Sequence, residues 1–239
     1  RYNFDRSLRL MLFDAIEIIE VALRAKIINH LSHAKDSGLW YLDSSLFEKM
    51  EYYENMIFDL KHEFERSTEP FAKEYIATHS NWDSESMEGD NPDAWMILEV
   101  ATFGTLSKMY KNLKSQLPQR STIANEFGLY SAKELSSWLE AISVLRNIIA
   151  HHSRLWNRSL AKQPMNIKGH RDKWLSNPLT DNQKKKPYGV ITAMLYLCNA
   201  VYPENQINAK ILSLLDKSKD IPYGKLGFTS DWRNEPIWR

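Results

Sequence analysis

The sequence predicts an all-α fold, and three observations support that class. Apolar residues recur at spacings of three and four over long stretches, alternating runs of β-branched residues are few, and the first glycine is Gly38, with no proline before it. The chain has 239 residues, of which 43% are hydrophobic, so it can bury a sizeable core. We find no internal repeat and expect a single domain over residues 1–239.

The N-terminal half should form four helices. The apolar spacing predicts a long helix over residues 4–34, then helices over 46–66, 70–78 and 94–117, with an acidic loop containing Gly and Pro over 80–93. Gly104 would lie inside the fourth helix, where glycine costs about 1 kcal/mol relative to alanine. We favour close helix packing there over an RNA contact.

The C-terminal half should contain a short helix over 123–127, a central helix and two later helices over 188–202 and 204–217. Ser131 and Glu134 have the spacing of a capping box and should open the central helix. An irregular, basic arm is expected over 157–186, and the tail, with Trp232 and Trp238, should pack back onto the body.

The central helix is expected to run into a dense polar block over residues 139–158. On a helical wheel, one stripe should face the core, formed by Trp138, Ile142, Leu145, Ile149, His152 and Trp156. Asn147 and His151 lie one turn apart on the opposite face, with Arg146 between the two faces. The wheel therefore assigns His152 to the core and His151 to the polar face.

Charge is unevenly distributed although the formal net charge is only +1. Residues 43–99 hold fifteen acidic and four basic residues, whereas residues 154–186 hold nine basic and two acidic ones. A nearly neutral protein with such a distribution can present a basic face to RNA.

The composition excludes several classes of protein. The longest apolar region, residues 190–202, is shorter than the roughly 20 residues that cross a bilayer, so no membrane association is expected. The single cysteine, Cys198, permits no disulfide within the chain, and His30 and His33 have no ligand cluster around them. We expect no metal, no cofactor and a cytoplasmic location.

The polar block resembles a motif of a known protein family. Arg146-Asn147, three residues and then His151 resemble the arginine and histidine motif of HEPN ribonucleases. The longer string RNIIAHHSRLWNR resembles the Abi-like (AbiD/AbiF) branch of that superfamily, which comprises bacterial abortive-infection proteins. Similar strings are FDRSLRLMLFDAIEIIEVALR, EVATFGTLSKMYKNL and GFTSDWRNEPIW, so the resemblance spans nearly the whole chain.

The resemblance implies a HEPN-like helical bundle with additional helices, acting as a metal-independent endoribonuclease, an antiphage effector or toxin. Histidine suits proton transfer near neutral pH, and arginine matches phosphate oxygens with two donors. We therefore expect Arg146 and His151 to be catalytic and Asn147 to orient His151 or bind phosphate. RNA phosphates should be held by Arg154, Arg158, Lys184, Lys185 and Lys186. Supporting roles are assigned to His152, Glu17, Glu20 and Arg24.

The expected partners are RNA, as substrate and also as a small regulatory RNA, and a second copy of the chain. HEPN motifs commonly face each other across a dimer, and this sequence has one clear motif. No DNA partner is expected. Because Arg1 already lies within an amphipathic pattern, we expect the chain to lack its natural start.

Alternatives stay open from sequence alone. The protein could be an RNA-binding module that does not cut, or a HEPN partner regulated by nucleotide transfer to a tyrosine, although Ser153 occupies that position. A metallohydrolase is more distant because a ligand set is lacking. His151 could merely cap the helix. Glu17, Glu20 and Arg24 could form a solvated ion-pair row, and the arm could be a solvated loop.

Overall fold

The structure is a computed structural model that describes residues 2–218 and 220–239. These residues form ten α-helices and five short 3-10 helices, and the only extended pairing among them is an isolated bridge between Phe47 and Leu113. The all-α prediction is confirmed. In chain order the α-helices are α1 (Tyr2–Lys35), α2 (Met50–Glu65), α3 (Pro70–Thr78), α4 (Ala94–Ile97), α5 (Phe103–Asn112), α6 (Pro118–Glu126), α7 (Ala132–Ala150), α8 (Asp181–Lys185), α9 (Pro187–Val201) and α10 (Ile207–Lys217).

The chain divides into two compact units. The first comprises residues 1–22 and 124–239, and the second comprises residues 23–123. Across the described ranges, every helix is too short or too polar to traverse a lipid bilayer.

In the second unit, α2 packs against α5 and carries an aromatic cluster. Phe64 is fully buried, and its ring lies 5.7 Å from that of Tyr75 and 5.4 Å from that of Trp82. The loop over 80–93 is anchored to α2 because the buried ammonium of Lys61 donates to the carbonyls of Asp83 and Ser86. Burial lowers the pKa of Lys61. The predicted helices over 4–34, 46–66 and 70–78 correspond to α1, α2 and α3.

The prediction of one helix over 94–117 is wrong. The chain forms α4 and α5 instead, separated by a turn at 98–102. Arg24 donates to the carbonyls of Leu98 and Ala101, at 2.8 and 3.3 Å, which occupies acceptors that a continuous helix would have used. Thr102 then caps α5 by accepting from the backbone N–H of Thr105. Gly104 consequently lies in the first turn of α5 rather than inside a long helix.

In the first unit, α7 packs against α9, whose side chains are buried over most of its length. The tail also packs back as predicted, since Trp232 and Trp238 are each 3% exposed and their rings lie 5.1 Å apart. The predicted arm is irregular up to Thr180 and then forms α8. The short helix expected over 123–127 is longer, because α6 begins at Pro118.

Candidate functional site

The first half of α7 is built into the body of its unit. Ser131 caps the helix by accepting from the N–H of Lys133 at 3.2 Å. Glu134 does not complete the predicted capping box, because its buried carboxylate instead accepts from the N–H of Lys168 at 3.0 Å. Ser137 accepts from the N–H of Met165 at 3.0 Å. These bonds fix the basic arm along the start of α7.

The end of α7 closes with a Schellman pattern. The N–H of His152 donates to the carbonyl of Ile149 at 2.9 Å, and the N–H of Ser153 donates to that of Ile148 at 3.0 Å. His152 has a φ of 53°, a left-handed conformation that favours glycine. Non-glycine residues in this region cost of order 1 kcal/mol and are concentrated at functional sites.

The assignment of His152 to the core is wrong. The helical wheel applies only while the helix continues, and α7 ends at Ala150. Beyond that point the chain turns, so His152 is exposed and Leu155 is the residue that becomes buried. Trp156, also placed in the stripe, is half-buried.

Arg146, Asn147 and His151 stand at the end of α7. Arg146 is half-buried, and Asn147 and His151 are exposed. The backbone N–H of His151 donates to the carbonyl of Asn147 at 3.1 Å, which fixes these two residues one turn apart. Within the described ranges, none of the three side chains forms a hydrogen bond or an ion pair with another protein group. Their donors and acceptors are therefore available to a ligand.

Asp5 anchors the segment that follows the motif. Its side chain is buried, and its Oδ1 accepts from the N–H groups of Leu155 and Trp156 at 3.1 and 2.9 Å. Arg9 flanks the same carboxylate at 3.3 Å. Asp5 was not among the residues predicted for the site, although an acidic residue in helical register with Leu8 is a signal that could have indicated it.

The structure brings together part of the predicted phosphate-binding set. The N–H of Leu160 donates to the carbonyl of Lys185 at 2.8 Å, and Lys186 Nζ donates to Asn157 Oδ1 at 3.4 Å, so the start and the end of the arm lie side by side. Arg158 is close to this junction, and its guanidinium donates to the carbonyl of Arg154 at 3.2 Å.

The remaining predicted residues have different surroundings. Lys184 is paired with Asp181 at 2.8 Å within one turn of α8. Glu17 is exposed on α1 and Glu20 is half-buried. Arg24, only 13% exposed at its side chain, holds the turn between α4 and α5 in the second unit. The bonds from Arg24 to Leu98 and Ala101 explain that turn.

Among the residues described, no group of three or more histidine, cysteine or carboxylate residues has the arrangement that holds a metal ion. The chemical groups at the end of α7 are a guanidinium, an amide and an imidazole. Such a set can bind an anion and transfer protons.

The family is decided by a match over most of the chain. A family model described as Abi-like protein matches residues 1–157. The chain belongs to the Abi-like protein family. In this Abi-like protein the matched region contains all of α1 and α7, and it therefore includes both Asp5 and the residues from Arg146 to His151. Lys184, Lys185 and Lys186 lie beyond it. No curated protein and no solved structure matches the chain.

Proposed function

We propose that this Abi-like protein is a metal-independent endoribonuclease of the HEPN type that acts in abortive infection. The observation that carries the proposal is the group of Arg146, Asn147 and His151, which have no protein partner for their side chains in the described chain and lie at the end of a well-packed helix. Polar groups that are removed from water are normally hydrogen-bonded, and the half-buried Arg146 has no such partner in the described chain.

The proposed reaction needs no metal ion. The 2′-hydroxyl of RNA loses its proton and attacks the adjacent phosphorus, and the bond to the 5′-oxygen breaks as that oxygen gains a proton. His151 transfers a proton in this sequence, and Arg146 stabilises the negative charge that develops on the phosphate. Asn147 donates to the same phosphate or orients His151. The products are a 2′,3′-cyclic phosphate, which can open to a 3′-phosphate, and a 5′-hydroxyl.

The test combines metal removal with product analysis. Purified protein is incubated with end-labelled RNA in excess EDTA, and the new ends are identified. Cleavage should persist and leave cyclic phosphate or 3′-phosphate ends. EDTA-sensitive cutting that leaves 3′-hydroxyl ends would refute the proposal, because a metal-activated water typically gives that product.

Arg146→Lys provides the matched variant for the phosphate contact. The substitution keeps the charge but loses the planar pair of donors, so most of the cleavage activity should be lost. Near-normal cleavage by Arg146→Lys would leave Arg146 with a charge role only.

The basic junction of the arm is proposed to hold RNA phosphates on either side of the cleaved bond. Arg158, Lys185 and Lys186 lie in the paired start and end of the arm. Arg154 precedes the arm by three residues and its carbonyl accepts from Arg158, and Lys184 is paired with Asp181 in α8. Replacing Lys184, Lys185 and Lys186 by glutamine should weaken RNA binding and reduce the slope of log affinity against log salt concentration. An unchanged slope would remove these lysines from the interface.

A non-cleaving RNA-binding module is the second candidate, and the arm favours it. Ser137 and Glu134 fix the arm without any contribution from the motif, so RNA could bind there with the motif inactive. Such a module, for example one that holds a small regulatory RNA, would produce no new RNA ends, and His151→Ala would leave its affinity unchanged.

The active species is proposed to be a homodimer, because each chain contributes one motif. If the two motifs share one site, mixing Arg146→Ala protein with wild type should lower activity by more than simple dilution. A monomer with full specific activity would contradict the shared site.

A further inference from the structure

Helix α1 has a narrow outer stripe whose residues are spaced by four, three and four positions, the spacing of a coiled-coil seam. The stripe consists of Arg6, Leu10, Phe13 and Glu17. Leu10 is 54% exposed and Phe13 is 38% exposed. All four residues belong to the first compact unit.

The two apolar residues of the stripe are not needed for the core of their own chain. The inner face of α1 already supplies that core, since Leu8, Leu12 and Ile19 are at most 1% exposed. Two large apolar side chains next to each other on the outer face would be covered most simply by another surface.

The charged ends of the stripe are also left without partners. Arg6 and Glu17 are exposed and form no ion pair within residues 2–218 and 220–239. Their neighbours on α1 differ, because Arg9 pairs with Asp5 at 3.3 Å and Asp14 pairs with Lys210 at 3.1 Å. The charges of Arg6 and Glu17 are therefore not used in ion pairs within the described part of the chain.

We infer that this stripe is where a second copy of the chain docks, with the two α1 helices antiparallel and the twofold axis between Met11 and Leu12. In this register Leu10 faces Phe13 of the second copy and Arg6 faces its Glu17. The twofold axis repeats each contact, as a symmetric dimer requires. The exposed apolar residues Tyr2 and Val21 also face each other in the same register, at 74% and 54% exposure in the single chain.

The charges select the antiparallel arrangement. A parallel pair would place Arg6 against Arg6 and Glu17 against Glu17, whereas the antiparallel pair makes two contacts between opposite charges. Like charges brought together across an interface are destabilising, and complementary charges fix the register. Because the contact is a single helix stripe, the dimer should be weak and sensitive to salt.

This inference assigns a contact surface to the homodimer of the proposed function. It rests on that proposal only for the role of the second motif. Asp5, which anchors the segment after His151, is adjacent to Arg6 in the stripe. At a rise of about 1.5 Å per residue, the two copies of Asp5 would be about 20 Å apart along the helix axis. Both motif-bearing segments would then belong to one assembly.

Charge reversal tests the register. In a dimer of Arg6→Glu chains, or of Glu17→Arg chains, both contacts join like charges, so each variant should dimerise at least about tenfold more weakly in sedimentation at low salt. Mixing the two variants makes both contacts opposite again, and dimerisation should recover. The double variant should recover as well. Recovery on mixing also shows that neither variant is misfolded.

Matched controls separate the contact from a change in net charge. Lys73→Glu and Glu74→Arg reverse exposed charges on α3 and should leave dimerisation unchanged. Equal weakening by these controls, dimerisation unaffected by either α1 variant, or a wild-type chain that stays monomeric at every concentration would each overturn the inference.

Cross-linking gives a second, independent test. Leu10→Cys mixed with Phe13→Cys should form a disulfide-linked dimer, and Leu10→Cys mixed with Val21→Cys should not. The native Cys198 will not interfere, because it is buried and burial raises the pKa of its thiol to about 12. The reverse pattern would overturn the register.

EDTA-resistant cleavage by a dimer that is unaffected by these variants would overturn only the α1 contact. An α1 dimer that never cuts RNA would overturn only the proposed function.

Discussion

The two ends of α7 differ in what their polar side chains do. At its start, Ser131, Glu134 and Ser137 each accept a backbone N–H, and Trp138 Nε1 donates to the carbonyl of Met165 at 2.9 Å. At its end, the side chains from Arg146 to His151 bond to no protein group in the described chain. One helix thus serves as a scaffold at its start and presents free chemical groups at its end.

The largest effect on stability is expected from a substitution at the start of α7. Trp138 is fully buried, with its ring 5.0 Å from that of Trp174 and 5.6 Å from that of Tyr196. Trp138→Ala should lower the free energy of unfolding by about 3–5 kcal/mol, because it leaves a cavity and an unpaired carbonyl. Denaturant titration measures this, with the exposed Tyr202→Ala as control. A loss below about 1 kcal/mol would contradict the scaffold role.

A smaller effect is expected where α1 holds the segment that follows α7. Asp5→Ala leaves the buried N–H of Leu155 and the partly buried N–H of Trp156 without an acceptor, so stability should fall by about 2–3 kcal/mol. RNA cleavage should fall with it, because the segment after His151 loses its anchor. Asp14→Ala, which breaks an exposed pair with Lys210, should cost less than about 1 kcal/mol. Equal losses from the two variants would remove the special role of Asp5.

The smallest effect concerns the turn itself and has the opposite sign. His152→Gly should raise the free energy of unfolding by up to about 1 kcal/mol, because glycine adopts a φ of 53° without the cost borne by other residues. His152→Ala should change stability little, since alanine bears the same backbone cost as histidine. Thermal unfolding compares the two. Marked destabilisation by glycine would show that the His152 side chain makes a contact that stabilises the turn.

The residue spacing predicted most of the helices because spacing reports which face is buried, and that face is a local property. The spacing did not predict the turn at residues 98–102, because Arg24, distant in the sequence, donates to two backbone carbonyls there. It failed again at His152, since nothing in the local pattern indicates that a histidine would adopt the turn conformation usual for glycine. The adjacency of Asn147 and His151 was predictable because both follow one helix. The anchoring by Asp5 needed the tertiary fold.

The most direct test of the account is to compare His151→Ala with Ser137→Ala, two polar substitutions on one helix, by RNA cleavage rate and free energy of unfolding. We predict that His151→Ala slows cleavage at least about 100-fold, as loss of a proton-transfer group does, and changes stability by less than about 0.5 kcal/mol. Ser137→Ala should lower stability by about 1 kcal/mol through the lost bond to Met165 and leave cleavage within a few-fold of wild type. His151→Ala protein that cuts RNA at the wild-type rate, or that loses its stability instead, would contradict the account.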